Sequence, residues 1–251
     1  MYDFNDKNIL IFGASSGIGE KTARILAADG AKVILAARRA NLLADICGDI
    51  GEDRACYYTA DVALNKTIEP LVSRIVSERG KLDGMVYAAG IVEDMPLKNQ
   101  SREKLLRTFD VNYFGFIECV RQVTARNNYN KGLRIVGVSS VASVFGEKAH
   151  TAYASSKAAM DASMRCLAKE LYKKGIAINT VQPGMIMTKM TQGFIDMNGE
   201  ESNAYTHTMQ RQYGGMGKPE DVANAIAFLL SDGARLITGV SLPVDAGFSS
   251  C

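Results

Sequence analysis

Ile9-Leu10-Ile11-Phe12-Gly13-Ala14-Ser15-Ser16-Gly17-Ile18-Gly19, running on into Glu20–Ala28, is a short apolar run, a glycine-rich loop and a helix-forming segment in direct succession. Four consecutive apolar residues fit a strand buried on both faces, the condition of a parallel sheet. Glycines placed after such a strand and before a helix let the backbone approach a pyrophosphate, which the helix N-terminus attracts. The spacing is G-x-x-x-G-x-G, not the G-x-G-x-x-G of other dinucleotide loops. An ordinary tight turn between strand and helix would also use glycine here, so the loop needs support from the rest of the chain.

The same alternation continues outward. Lys32–Ala37 reads as a second strand, and its end is informative. A carboxylate about 20 residues past the glycines would bond the adenosine ribose hydroxyls of NAD. That place holds Ala37, followed by Arg38-Arg39. Arginine forks pair with a phosphate, and no acid is present to repel one. The reading is therefore NADP(H) in preference to NAD(H), against the plain alternative of two surface arginines opening a helix. Ala55–Thr59 is a third strand, leading through Ala60-Asp61-Val62 to a helix over Asn65–Arg79. Met85–Gly90 is a fourth strand whose small last residues would let a flat cofactor pass close to the sheet edge. Ser101 caps a helix that runs to about Asn127. Strands at Leu133–Ser139, Ile176–Pro183 and Gly239–Val244 and helices at His150–Lys174 and Pro219–Asp232 complete the pattern. The expectation is one doubly wound α/β (Rossmann) domain over residues 1–251, with about seven parallel strands and helices on both faces.

Composition narrows the function. The 251 residues, 47% of them hydrophobic, suffice for one large core. Lys plus Arg number 29 against 27 Asp plus Glu, a net +2 that argues against a nucleic-acid-binding or membrane-surface protein. Five scattered cysteines without a C-x-x-C pair read as reduced thiols, and only His150 and His207 could serve histidine chemistry or a metal. No metal site is expected. The acidic start Met1–Asp6 lacks the basic and apolar regions of a signal peptide, and no run is long and apolar enough to span a membrane, so a cytoplasmic protein is expected.

Tyr153 and Lys157 stand four residues apart in a helical run, one turn apart on one face. An ammonium beside a phenol favours the phenolate, so the Tyr153 pKa is expected to fall toward working pH, as proton transfer requires. Such pairs are also common on solvated helix faces. Ser140 lies just past the carboxyl end of the fifth strand, the edge where open α/β sheets bind ligands. Asn112, inside an apolar-striped helix, must be hydrogen-bonded, and a satisfied core amide would explain it as well as a functional one. Thr188–Met216 breaks the rhythm with four glycines, and six of the eleven methionines fall between Met185 and Met216. That pattern suggests either a mobile lid over a pliable apolar pocket at about 188–216 or a helical excursion packed on the body.

Taken together, these pieces resemble the short-chain dehydrogenase/reductase family over essentially the whole chain. Gly13–Gly19 resembles the family's cofactor loop, with Phe12 where Thr usually precedes the first glycine; Asp61-Val62 resembles the pair that contacts adenine. Tyr87-Ala88-Ala89-Gly90 stands where Asn-Asn-Ala-Gly is usual, so Ala88 can offer only backbone or apolar contact. Asn112, Ser140, Tyr153 and Lys157 match the catalytic tetrad, with the usual gaps of thirteen and four from Ser140 to Tyr153 to Lys157. Pro183-Gly184-Met185-Ile186-Met187-Thr188 resembles the segment against the nicotinamide and its phosphates.

The resemblance implies hydride transfer between a nicotinamide and a ketone or secondary alcohol. Tyr153 would be the proton donor or acceptor, Lys157 its electrostatic partner and a holder of the nicotinamide ribose. Ser140 would bond the substrate oxygen, and Asn112 would bind a water linking Lys157 to solvent. The nearest group is the 3-oxoacyl-acyl-carrier-protein reductases, which Gly217-Lys218-Pro219-Glu220-Asp221 and Asp245-Ala246-Gly247 also resemble. Lys131 and Lys174 fall where those enzymes dock an acidic carrier protein, although plain solvated lysines account for both residues better. A hydroxysteroid or other secondary-alcohol dehydrogenase is the main rival, and a non-catalytic dinucleotide sensor is the rival of another class. A homodimer or homotetramer through the helices of Asn112 and Tyr153 is implied by the same resemblance.

Overall fold

The strand before the glycine loop, β1 (Asn8–Phe12), lies inside a sheet and divides its side chains between two apolar layers. Ile9 and Ile11 enter one layer, Leu10 and Phe12 the other, and all four are at most 2% exposed. In the computed structural model, which describes residues 2–189, 191–192 and 210–250, β1 is joined by β2 (Lys32–Ala37), β3 (Ala55–Thr59), β4 (Leu82–Tyr87), β5 (Tyr129–Val138), β6 (Ala177–Pro183) and β7 (Ser241–Val244). All pairings are parallel, in the order β3-β2-β1-β4-β5-β6-β7. The expected doubly wound Rossmann architecture is present.

The helices described are α1 (Gly17–Ala28), α2 (Ala40–Ile50), α3 (Ile68–Arg79), α4 (Arg102–Phe109), α5 (Gly115–Val123), α6 (Thr151–Tyr172) and α7 (Pro219–Leu230). Leu26 of α1, Leu43 of α2 and Ile226 of α7 pack on the Ile9 layer. Val72 of α3, Phe116 of α5 and Met160 of α6 pack on the Leu10 layer. Each such fully buried large side chain contributes roughly 1.5–3 kcal/mol, so the two layers together fix the register that a local turn could not.

Strand order reverses between β1 and β4, and the two chains leaving them nearly touch. The Ala88 N–H donates to the Phe12 carbonyl at 2.8 Å. Gly13, at φ +80°, passes so close that a β-carbon there would lie 2.4 Å from the Ala89 nitrogen. Only glycine fits that crossing, and the crevice above it is where a doubly wound sheet binds its ligand.

Several boundaries differ from expectation, three of them with a clear physical reason. β4 ends at Tyr87, not Gly90, because Ala88 makes the last bond to β1 before the chain crosses Gly13. β5 begins at Tyr129, ahead of Leu133, its first turns hidden in the sequence by polar Asn130 and Lys131. The expected continuous helix from Ser101 to Asn127 is α4, a π-turn over Asp110–Phe114 and α5, ending at Val123; Asn127 is past it at φ +77°. Ser101 does cap α4, its hydroxyl accepting from the Lys104 N–H at 3.3 Å. Most of the lid expected at 188–216, namely residues 190 and 193–209, lies outside the described residues.

Candidate active site

The carboxyl ends of β1, β4, β5 and β6 open onto one cavity of about 710 Å³. Its walls carry Gly13, Ser15, Ser16, Gly17, Ile18 and Gly19 from the glycine loop, Arg38 and Arg39 after β2, and Asp61 and Val62 after β3. Ala88, Ala89 and Gly90 follow β4, Ser140 follows β5, Tyr153 and Lys157 come from α6, and Pro183, Gly184, Ile186 and Thr188 follow β6. Every residue that the sequence marks for the site thus meets here, except Asn112.

At one end the glycine loop meets β2. The Arg39 guanidinium donates to the Ser15 hydroxyl at 2.7 and 3.1 Å and to the Ser16 hydroxyl at 2.7 Å. Arg38 is exposed beside it. Ser16 precedes α1 without capping it through its side chain, so the first N–H groups of α1 keep their capacity for an anion.

At the other end sit the reacting groups. Ser140 is buried, and its hydroxyl oxygen accepts from the Ala142 N–H at 3.1 Å, which leaves the hydroxyl proton to donate. Lys157 is 3% exposed, and its Nζ donates to the Val138 carbonyl at 2.7 Å while lying 5.8 Å from the Tyr153 ring centre. Burial pushes the Lys157 amine down to about 8, against a smaller upward pull from Asp161. Tyr153 is half-buried by surface but enclosed on the longer scale over which charge is solvated. That desolvation holds its phenol above the ordinary value, and only a hydrogen bond with Ser140 pulls it down. The expected lowering of Tyr153 by Lys157 is therefore corrected: burial sets the direction, and the one opposing pull comes from Ser140, not from the ammonium.

Asn112 sits in the π-turn, fully buried and off the cavity wall. Its Oδ1 accepts from the Ile91 N–H at 2.9 Å, and its Nδ2 donates to the Ile91 carbonyl and the Ser156 hydroxyl, both at 3.0 Å. Both amide donors are used, so the amide clamps the strand-end segment beside Gly90 to α6. This clamp accounts for the buried amide by itself, while a β-carbon on Gly90 would lie 3.4 Å from the Lys157 Nζ and 3.5 Å from the Asn112 Oδ1, so Asn112 also stands beside Lys157. Tyr87 holds the same turn from below, its hydroxyl donating to the Val111 carbonyl and its ring packed between Phe12 and Phe116.

Two clusters escape sequence reading. Asp161, 3% exposed, accepts from Ser139 at 2.9 Å, Thr180 at 2.7 Å and Gln182 at 2.9 Å, one turn beyond Lys157. An acid four residues from Lys157 on the buried face of α6 was the available signal. The second cluster lines the open side: Asp94 and His150, paired at 3.1 Å, with Phe145, Arg211 and Phe248. His150 lies three residues before Tyr153, but nothing local announces its partner. Among the described residues no group of three or more His, Cys, Asp or Glu side chains is placed to hold a metal, and no helix is long and apolar enough to cross a membrane.

A family model described as enoyl-(acyl carrier protein) reductase matches residues 13–249. The chain belongs to the short-chain dehydrogenase/reductase family. It is accordingly an oxidoreductase of the CH–OH/C=O class, in a family that binds a nicotinamide dinucleotide. L-xylulose reductase of Caenorhabditis elegans is 36% identical over 258 residues, covering 99% of this chain and 98% of that protein. The 3-oxoacyl-[acyl-carrier-protein] reductase FabG of Rickettsia bellii is 33% identical over 247 residues, covering 98% of both. A blue fluorescent protein from a metagenomic library, solved in complex with NADPH, superposes with a TM-score of 0.89 at 29% identity over 98% of each chain. Short-chain dehydrogenase/reductases thus share this architecture while differing in substrate, and the substrate must be argued from the cavity.

Proposed function

We propose that this protein is an NADP(H)-dependent reductase of small polar ketones, working reversibly on the matching secondary alcohols. The observation that carries the reading is the convergence of Ser140, Tyr153 and Lys157 on the cavity into which the glycine loop also opens. The residues present fit a dinucleotide: Gly13 leaves the crossing free of a β-carbon, and α1 offers uncapped N–H groups to a pyrophosphate. Gly13–Gly19 and Thr188 would flank the phosphates, Asp61 and Val62 the adenine, and Ala88–Gly90, Pro183, Gly184 and Ile186 the nicotinamide side. Arg38 and Arg39 would face a ribose phosphate, and the NADPH-bound neighbour supports that preference.

When bound, the nicotinamide supplies or accepts hydride at the carbonyl carbon. The chain's own groups do the rest. Ser140 donates to the substrate oxygen, where negative charge grows. Tyr153, kept protonated by its burial, hands its phenolic proton to that oxygen in reduction and regains it in oxidation. Lys157 holds positive charge under the site, with the Val138 carbonyl fixing its position and the nearby Asp161 favouring its charged form. Asn112 acts as a positioning residue through Ile91 and Ser156.

The L-xylulose reductase likeness and the polar open side, with Asp94, His150 and Arg211, favour a small hydroxylated or charged ketone. A second reading, reduction of 3-oxoacyl thioesters, is favoured by the FabG likeness. Its carrier-docking residues are poorly placed: Lys131 is the third residue of β5, roughly 23 Å along the strand from the cavity end. Lys174 follows α6 at that same far edge. We also propose a homo-oligomer through α4, the π-turn and α6, where Leu106, Phe114 and Tyr172 are 40%, 39% and 65% exposed.

The test is kcat/KM with NADPH and NADH against L-xylulose, acetoacetyl-coenzyme A and a steroid ketone. We expect NADPH to be preferred at least about tenfold and a small ketone to lead. A preference for NADH would end the Arg38–Arg39 argument. A preference for the thioester would establish the second reading, and a steroid preference would overturn both. Tight NADPH binding without any turnover would leave the non-catalytic sensor.

A further inference from the structure

Arg211 stands on the cavity wall with its guanidinium carbon 4.8 Å from the Phe145 ring centre and 4.5 Å from that of Phe248. The two rings meet edge to face at 5.3 Å. Aromatic faces satisfy the flat surface of a guanidinium but none of its five in-plane N–H donors. Among the described residues nothing accepts a hydrogen bond or ion pair from Arg211. Of the acids on the same wall, Asp94 is taken by His150, and Glu147 is exposed and accepts from the Lys148 N–H at 3.2 Å. A cation held by two rings, with its fork unused and turned to a ligand cavity, is complementary to an oxyanion.

The anchor is fixed from three separate parts of the chain. Phe145 ends the turn that begins at Ser140, its N–H donating to the Val141 carbonyl at 3.0 Å. Gln212, 2% exposed, accepts from the Met185 N–H at 2.8 Å and donates to the Met185 carbonyl at 2.9 Å. Asp245 folds the last turn back under Phe248 by accepting from Gly247 at 3.1 Å and Ser249 at 2.9 Å. The geometry is therefore preorganised, and it joins the anchor to the carbonyl-binding Ser140 through one short turn.

We propose that Arg211 binds an anionic oxygen group, a carboxylate or a phosphate, on the same molecule whose carbonyl meets Ser140 and Tyr153. The substrate class is then small oxo acids or phosphorylated hydroxyketones, a narrowing that rests on the reductase reading above. The experiment compares substrates paired by charge, acetoacetate with methyl acetoacetate and dihydroxyacetone phosphate with dihydroxyacetone. Each pair is run with wild type, Arg211→Met, which keeps an apolar stem against the rings, and Arg211→Lys.

We expect the anionic member of one pair to be preferred. That ratio of kcat/KM should fall roughly 10- to 100-fold in Arg211→Met and recover partly in Arg211→Lys. The pair showing the effect tells carboxylate from phosphate. Calorimetric titration of acetate and of inorganic phosphate into the NADP-saturated protein gives a second readout, with binding expected in wild type and lost in Arg211→Met. Ketone turnover with no charge preference, or a preference unchanged in Arg211→Met, overturns the anchor and leaves the reductase. Anion binding through Arg211 with no ketone turnover at all does the reverse.

Discussion

At Tyr153 and Lys157 the cost of burying charge decides both protonation states, raising the phenol and lowering the amine, and this sets when each can act. A phenol held above 10 stays protonated at neutral pH, ready to donate in reduction but needing deprotonation for oxidation. The predicted outcome is a reduction kcat/KM nearly flat from about pH 6 to 7.5 that falls above about pH 8 as Lys157 loses its charge, while the oxidation kcat/KM climbs by up to tenfold per pH unit between about pH 6 and 8. Profiles measured in both directions check this; an oxidation rate already level near neutrality would contradict it. Lys157 gives a stability signature as well. Its folded value is about 8 against an unfolded 10.5, so between these the unfolded chain holds a proton that the native protein lacks. Stability contributed by Lys157 should therefore rise with pH through that window and be lost as pH falls through 8. In the cofactor-free protein, the Tm difference between wild type and Lys157→Met should shift toward wild type from about pH 7.5 to 9.5.

Among the elements, the π-turn carries the structural logic of the site. A helix that passes from α4 through Asp110–Phe114 to α5 presents Asn112 inward and leaves the Val111 carbonyl to Tyr87. Gly115 makes room for this arrangement, since a β-carbon there would lie 2.5 Å from the Tyr87 hydroxyl. Tyr87 stands in place of the family's usual Asn, and burial keeps its phenol protonated and able to donate. Tyr87→Phe should cost about 1–2 kcal/mol by leaving the Val111 carbonyl unpaired. The expected readout is a Tm lowered by several degrees, roughly 2–4 °C per kcal/mol for a chain of this size, with a smaller effect on kcat. An unchanged Tm would remove this bond from the account of the turn.

For the whole molecule, the crevice at the β1/β4 reversal gathers what the chain spreads over most of its length. The glycine loop was legible because strand, loop and helix follow one another directly. The Tyr153–Lys157 pair was legible because one helical turn places both residues. Less was readable where partners come from afar: Asn112 is fixed by Ile91 and Ser156, and Asp161 by Ser139, Thr180 and Gln182. Arg211 gains its meaning only from Phe145 and Phe248, and no local period announces either. The tyrosine pKa was misjudged for a related reason, because desolvation depends on the whole surround and not on one neighbour. At this scale the exposed Leu106, Phe114 and Tyr172 of α4, the π-turn and α6 predict association. Phe114→Glu should shift the mass measured by light scattering toward the monomer, and a wild type already monomeric would contradict the proposed interface.

The central claim is that Tyr153 transfers the proton in a carbonyl reduction built on this crevice. Tyr153→Phe tests it most directly, with kcat, NADPH affinity and Tm measured on the same preparation. The account predicts kcat lower by about 10²- to 10⁴-fold, with NADPH affinity and Tm close to wild type. A Tyr153→Phe protein that keeps kcat within tenfold of wild type would contradict it.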